Sequence, residues 1–272
     1  MRAVILKLLI YIQKYLIIAV ALLVFSCNKG GQDVNPASDA RVLFSQTGLV
    51  SGDKCQVTMQ MWDGNLSGST YTVTDEALLE GGDLQYNGLD GASFYAWYPA
   101  GASLTKGKLN VSVSADQKDS YRENDFHTAY ATVKQATTNA VKLPFSHRLV
   151  ELEISFRLVT ATSVVLKGVK TSAEWDILSN RISVPEQTVS DLELFNDQTC
   201  FRAIIPAQTI SAGQELSFKS DKGDDFTYTF EEEIIMTEGK RFSLQITKNF
   251  DGSINIVCSP QMPWSGGIDS WI

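Results

Sequence analysis

Polar and apolar residues alternate through almost the whole chain after residue 50, and this period of two restricts the fold more than any other feature. In "CQVTMQMW", Val57, Met59 and Met61 fall on one face and Gln56, Thr58 and Gln60 on the other. "KLNVSVSAD" brings Leu109, Val111 and Val113 together. "ELEISFRL" sets Leu152, Ile154, Phe156 and Leu158 against Glu151, Glu153, Ser155 and Arg157. Side chains along a strand point to opposite faces, so segments of this kind bury one face and solvate the other, as in antiparallel sandwiches. "ELSFKS", "FTYTFEEE", "RFSLQIT" and "SINIVCS" repeat the pattern, while "DGNLSGS", "YPAG", "DKGDD" and "NFDGS" supply turns. Helical periodicity is scarce beyond the leader, with "DEALLEGGDL" alone offering a short helical turn. The expected fold class is all-β, with antiparallel β-sandwich domains over residues 42–158 and 159–272. The boundary near 158 rests on length and on a new run of strand starts, since no linker marks it.

The N-terminus has a different character. Arg2, Lys7 and Lys14 precede the apolar run "YLIIAVALLVF" (residues 15–25), and no acid occurs before Asp33. A run of this length suits the core of a signal peptide, whereas a spanning helix needs about twenty apolar residues. The run closes on "VFSC", with a small residue directly before Cys27 and aliphatic Val24 three positions ahead of it. This resembles a bacterial lipobox, with residues 1–26 removed and Cys27 acylated. Acyl chains then replace the helix as anchor, each buried methylene contributing about 0.8 kcal/mol. Residues 27–41, containing "NKGGQDVNPASDA", read as a lipidated flexible tether. An uncut membrane anchor is the other reading of the leader.

The net charge of −8 and pI near 4.9 become more acidic once the basic leader is gone, which argues against nucleic acid as a partner. With Cys27 lipidated, Cys55, Cys200 and Cys258 remain, none in a C-x-x-C or zinc-like spacing. They read as buried thiols, or at most as one pair, Cys200–Cys258. His127 and His147 belong to no recognised catalytic or metal motif, and His147 reads as a ring hydrogen-bonded at a strand start. The acids of "DKGDD" read as a hairpin turn, and those of "EEE" (231–233) nominate no carboxylate pair. In "SFYAWYP", Tyr95 and Trp97 are candidates for stacking on sugar rings. The competing reading is a strand with Phe94, Ala96 and Tyr98 on one face, Tyr95 and Trp97 on the other, and one of these faces in the core. No cofactor, metal or enzymatic activity is expected.

Four segments in order resemble the fimbrillin family of Bacteroidetes-type lipoproteins, subunits of type V pili. They are "ASFYAWYPAG", "ENDFHTAYATV", "VKLPFSHRLVELEISF" and "EGKRFSLQITKNFDGSINIVCSPQMPWSGG". The resemblance covers about residues 42–267 and implies two tandem transthyretin-like sandwiches in a surface-exposed outer-membrane lipoprotein. It implies other fimbrillin-like subunits as partners, joined by strand exchange, and an adhesive role toward host or bacterial surfaces. In pilus-forming members a trypsin-like protease cuts after an arginine and removes the lipid with a first strand. Arg41 is the only arginine between Cys27 and residue 121, so Arg41–Val42 is the candidate cut; otherwise Arg41 is a solvated residue before a strand. Processing would move the chain from outer membrane to fimbrium. The tail "MPWSGGIDSWI" offers Ile268 and Ile272 as plugs of a donor strand, or is a frayed end. A stalk, tip or anchor role follows from the family, with a monomeric glycan-binding surface lipoprotein as the alternative.

Overall fold

A computed structural model describes residues 40–102, 104–187 and 189–264. The leader, Cys27 and the tail from residue 265 lie outside the described residues. Within these, regular structure is strand throughout apart from one 3-10 turn, Tyr121–Asn124. The all-β class read from the alternation is the class observed.

The first sheet has eight strands in the order Ser146–His147, His127–Gln135, Asp90–Tyr98, Lys54–Met61, Leu66–Val73, Leu78–Glu80, Phe44–Thr47 and Val141–Pro144. Its pairs are antiparallel except the last, in which Phe44–Thr47 runs parallel to Val141–Pro144. Phe44 and Phe94 lie four strands apart in this order, yet their rings meet edge to face at 5.1 Å. The sheet therefore rolls over on itself, and its enclosed face forms one core with Val42, Phe44, Val57, Tyr71, Phe94 and Leu143. "DEALLEGGDL" does not form the helical turn expected of it. Leu78–Glu80 is a strand between Leu66–Val73 and Phe44–Thr47, with Leu79 buried. Tertiary pairing decides a segment whose apolar pair is too short to support a helix alone.

Gly91 sits where two backbones close on each other. A Cβ there would lie 1.9 Å from the Val133 carbonyl oxygen and 2.5 Å from the Lys134 carbonyl carbon. Gly91→Ala should therefore push Asp90–Tyr98 away from His127–Gln135, at a cost of about 3 kcal/mol. A lowered urea midpoint with an unchanged m-value would measure it.

The second sheet runs Phe195–Asn196, Phe201–Ile205, Val150–Arg157, Lys240–Lys248 and Ile254–Cys258, with Met262–Pro263 also paired to Lys240–Lys248. The third runs Ser190–Glu193, Ala161–Val169, Glu215–Ser220 and Asp225–Thr229. These two pack face to face over Leu152, Ile154, Leu244 and Ile246 from one and Val164, Leu166, Leu216 and Phe218 from the other. "DKGDD" forms the hairpin turn between Glu215–Ser220 and Asp225–Thr229, with Gly223 at φ +88°.

Val150–Arg157 lies upstream of residue 158 but is central to the second sheet, so the chain leaves the first sheet between His147 and Val150. A fourth sheet, Arg181–Ser183, Ser172–Asp176, Lys108–Ser112 and Leu104–Thr105, takes strands from both sides of that point. Its core gathers Leu109, Val111 and Trp175 with Tyr95 and Trp97 from the first sheet and Ile204 from the second. The described residues accordingly form one compact unit.

Candidate functional site

The first strand follows the candidate cut at Arg41–Val42, so its place in the sheet bears on that cut. Phe44–Thr47 lies between Leu78–Glu80 and Val141–Pro144, bonded on both sides. Alternation sends Val42 and Phe44 inward, each 1% exposed, and the Phe44 ring meets Tyr71 at 5.3 Å as well as Phe94. Gln46 is buried too, and its amide group spans both polar groups of the Leu49 backbone, accepting from the N–H at 3.0 Å and donating to the carbonyl at 3.1 Å. The strand is thus held by backbone bonds on two edges and by aromatic packing beneath. Arg41 stands just ahead of it. Its guanidinium donates to the Gly82 carbonyl, its backbone bridges Gln85, and Val42 N–H donates to the Leu84 carbonyl at 2.8 Å. A cut at Arg41–Val42 would leave Phe44–Thr47 in the sheet.

Tyr95 and Trp97, the aromatics considered for sugar stacking, are 6% and 2% exposed. Trp97 packs edge to face on Trp175 at 6.0 Å, and the Tyr95 hydroxyl donates to Gln60 Oε1 at 3.3 Å. Asp90–Tyr98 buries both its faces, because the fourth sheet covers the side opposite Phe94 and Ala96. Neither ring offers a face to a glycan, which corrects that candidate assignment.

The two histidines, about twenty residues apart in sequence, meet at one carboxylate. Asp125 Oδ2 accepts from His127 Nε2 at 2.7 Å and Asp125 Oδ1 from His147 Nδ1 at 3.0 Å, with all three residues buried. Trp264 closes the cluster, stacking on His147 with ring centres 3.7 Å apart and planes 8° from parallel. The ligand atoms of the three residues lie within 4.8 Å of one another, so a metal centre is a fair question. The N–O separations are those of hydrogen bonds, and His127 Nδ1 is buried with no acceptor, the position that orients a metal-bound imidazole. The arrangement is that of a carboxylate shared by two imidazoles.

Burial alone would raise the Asp125 carboxyl, but the charge and hydrogen bonds of His127, with those of His147, outweigh it and hold the group below its ordinary range. A depressed carboxylate contributes stability above its unfolded pKa, about 3.9, and loses it as pH falls through the lower folded value. Asp125→Asn should cost about 2 kcal/mol at pH 7, since an amide offers one acceptor where two imidazole N–H groups need two. Urea midpoints at pH 7 and pH 3 would show the gap between native and variant narrowing in acid.

A family model described as fimbrillin-like matches residues 40–259. The chain belongs to the fimbrillin-like family. Solved structures give the fimbrillin-like chain the same fold. A candidate cell adhesion protein from Bacteroides uniformis superposes with TM-score 0.70 at 20% identity, over 83% of this chain and 98% of its own. One from Bacteroides ovatus gives 0.69 at 14% identity, over 84% and 99%. The tip fimbrial protein Mfa3 from Porphyromonas gingivalis, with a C-terminal truncation, gives 0.56 at 7% identity, over 83% and 100%. No curated protein matches the chain significantly in sequence.

Two sequence signatures of this fimbrillin-like chain, "PFSH" and the closing Trp264, thus meet in space through the His147 stack. One cluster escaped sequence reasoning. Alternation placed Glu151 on the solvated face of its strand, yet it is 1% exposed. Its carboxylate accepts from Tyr121 Oη at 2.6 Å, from Arg202 Nη1 at 3.0 Å and from the Arg241 guanidinium. Burial, then Glu151, push the Tyr121 hydroxyl far above its usual range. Only the pairing of Val150–Arg157 with Phe201–Ile205 and Lys240–Lys248 sets Glu153 opposite Arg202 and Glu151 opposite Arg241, so no local pattern announces the cluster. Cys55, Cys200 and Cys258 are free thiols, Cys258 exposed, and Cys200 lies beside Asp197 instead of in a disulfide.

Proposed function

We propose that the chain is a surface lipoprotein, acylated at Cys27, that serves as a terminal subunit, tip or anchor, of a type V fimbria. It acts without catalysis and supports adhesion at the cell surface. Neighbours join by β-strand exchange, in which main-chain bonds supply affinity and alternate apolar side chains supply register. Two sandwich domains, divided between His147 and Val150 and braced by the fourth sheet, form its body. Membership of the fimbrillin-like family supports the fimbrial role.

The terminal role rests on one observation. The place that an incoming strand would need beside Val141–Pro144 is filled by the chain's own Phe44–Thr47, and the only arginine between Cys27 and residue 121 precedes that strand. Cleavage after Arg41 detaches the tether and leaves the sheet closed, so such a chain can donate a strand but cannot accept one at that place. Treatment of the leaderless chain with an arginine-specific protease tests this. The folded product should begin at Val42 and run as a monomer on unheated SDS gels. A ladder of heat-sensitive oligomers after cleavage would refute the terminal role.

A further inference from the structure

We propose that the cleft between the Tyr121–Asn124 turn and the turn after Phe195–Asn196 is a binding site for a neutral saccharide. The proposal goes beyond the fimbrial reading, which names no ligand. The cleft holds 490 Å³, within the range of small-molecule sites of about 300–1,000 Å³. Tyr121 and Phe195, both half-buried, stack at 5.5 Å and 16° and give it an apolar wall. Such aromatic surface suits the C–H face of a pyranose.

Its rim is polar. Among the described residues the side chains of Asp119, Glu123 and Gln198 make no hydrogen bond and are exposed, while Asn196 keeps its amide nitrogen uncommitted. Carboxylate and amide groups accept from and donate to neighbouring hydroxyls, each of which can do both. Three acids (Asp119, Glu123, Asp197) and two arginines (Arg122, Arg202) line the cleft, an excess of one negative charge. The Arg202 guanidinium is already matched by Asp197, Glu151 and Glu153. Charge therefore disfavours an anionic sugar.

The walls are preorganised. Asp197 Oδ1 accepts from Thr199 N–H at 2.9 Å, Thr199 Oγ1 at 2.7 Å and Cys200 N–H at 2.8 Å. Gln198 is held at φ +74°, a left-handed conformation that a non-glycine residue keeps only where its surroundings impose it. Rigid walls lower the ordering cost of binding.

Saturation-transfer NMR on the leaderless chain tests the assignment with the methyl β-glycosides of galactose, glucose and N-acetylglucosamine, and with sialic acid as the anionic probe. At least one neutral glycoside should give saturable transfer, weakened by about tenfold in Phe195→Ala. Gln198→Gly relieves the backbone strain while removing the amide, so it should fold at least as well and bind a few-fold more weakly. No saturable transfer from any neutral glycoside, equal binding in both variants, or a preference for sialic acid would overturn the proposal. None of these outcomes bears on fibre assembly, which is read separately.

Discussion

Replacing Glu151 with alanine is expected to lower the stability of the chain by about 3–5 kcal/mol. For a protein of this size that is a fall of roughly 6–20 °C in Tm. The magnitude follows from what the substitution strands. Arg202 and Arg241 share the Glu151 carboxylate from neighbouring strands, with guanidinium side chains 9% and 19% exposed, and Tyr121 donates to the same group. Arg202 would keep Asp197 and Glu153, but the buried anion that offsets both cations would be gone, and desolvation prevents water from taking its place. Glu151→Gln should recover part of the loss by retaining an acceptor without the charge. Glu153→Ala is the contrast. Its side chain is 25% exposed and among the described residues pairs only with Arg202, so about 1 kcal/mol is expected. Thermal unfolding of the three variants side by side reads the order directly.

Trp175→Ala should cost a comparable 3–5 kcal/mol, for a reason of packing instead of charge. Trp175 is fully buried in the core that joins the two halves. Its ring meets Trp97 at 6.0 Å and Phe126 at 5.9 Å, and Nε1 donates to Asn180 Oδ1 at 3.2 Å. The strand carrying it pairs with Lys108–Ser112, setting Trp175 against Leu109 across the point where the chain changes sheets. Truncation leaves a cavity between backbones that pair on both sides and cannot collapse into it. The loss should also weaken the coupling between the halves, so limited proteolysis near residues 148–149 is expected to rise in this variant and not in Phe218→Ala, whose side chain lies in the core of the second and third sheets.

Much of this fold is legible in the residues because a strand displays its exposure every second position. "ELSFKS" reads correctly from alternation alone, with Leu216 and Phe218 facing the core, whereas in "CQVTMQMW" Val57 and Met59 face the first core as expected but Thr58 on the other face is buried too. Alternation fails where a strand is covered on both sides. "SFYAWYP" buries Phe94 and Trp97 alike, and Glu151 is enclosed because arginines from two neighbouring strands meet it there. Those neighbours are set by pairings across 51 and 90 residues, which no window along the sequence contains. The histidine cluster is half legible. "PFSH" marks His147 at a strand start, but its partner Asp125 belongs to a loop 22 residues earlier, and Trp264 arrives from the far end of the chain. Arg41 stands out only through the family resemblance, which implies a cut after an arginine, whereas the place of Phe44–Thr47 in the sheet required its register against Val141–Pro144.

Immunogold labelling of surface fibres with an antibody against this chain reads whether it sits at the end of a fibre. Label confined to one end of each fibre is the predicted result. Label at regular intervals along the length, or on no fibre at all, would rule out a terminal place.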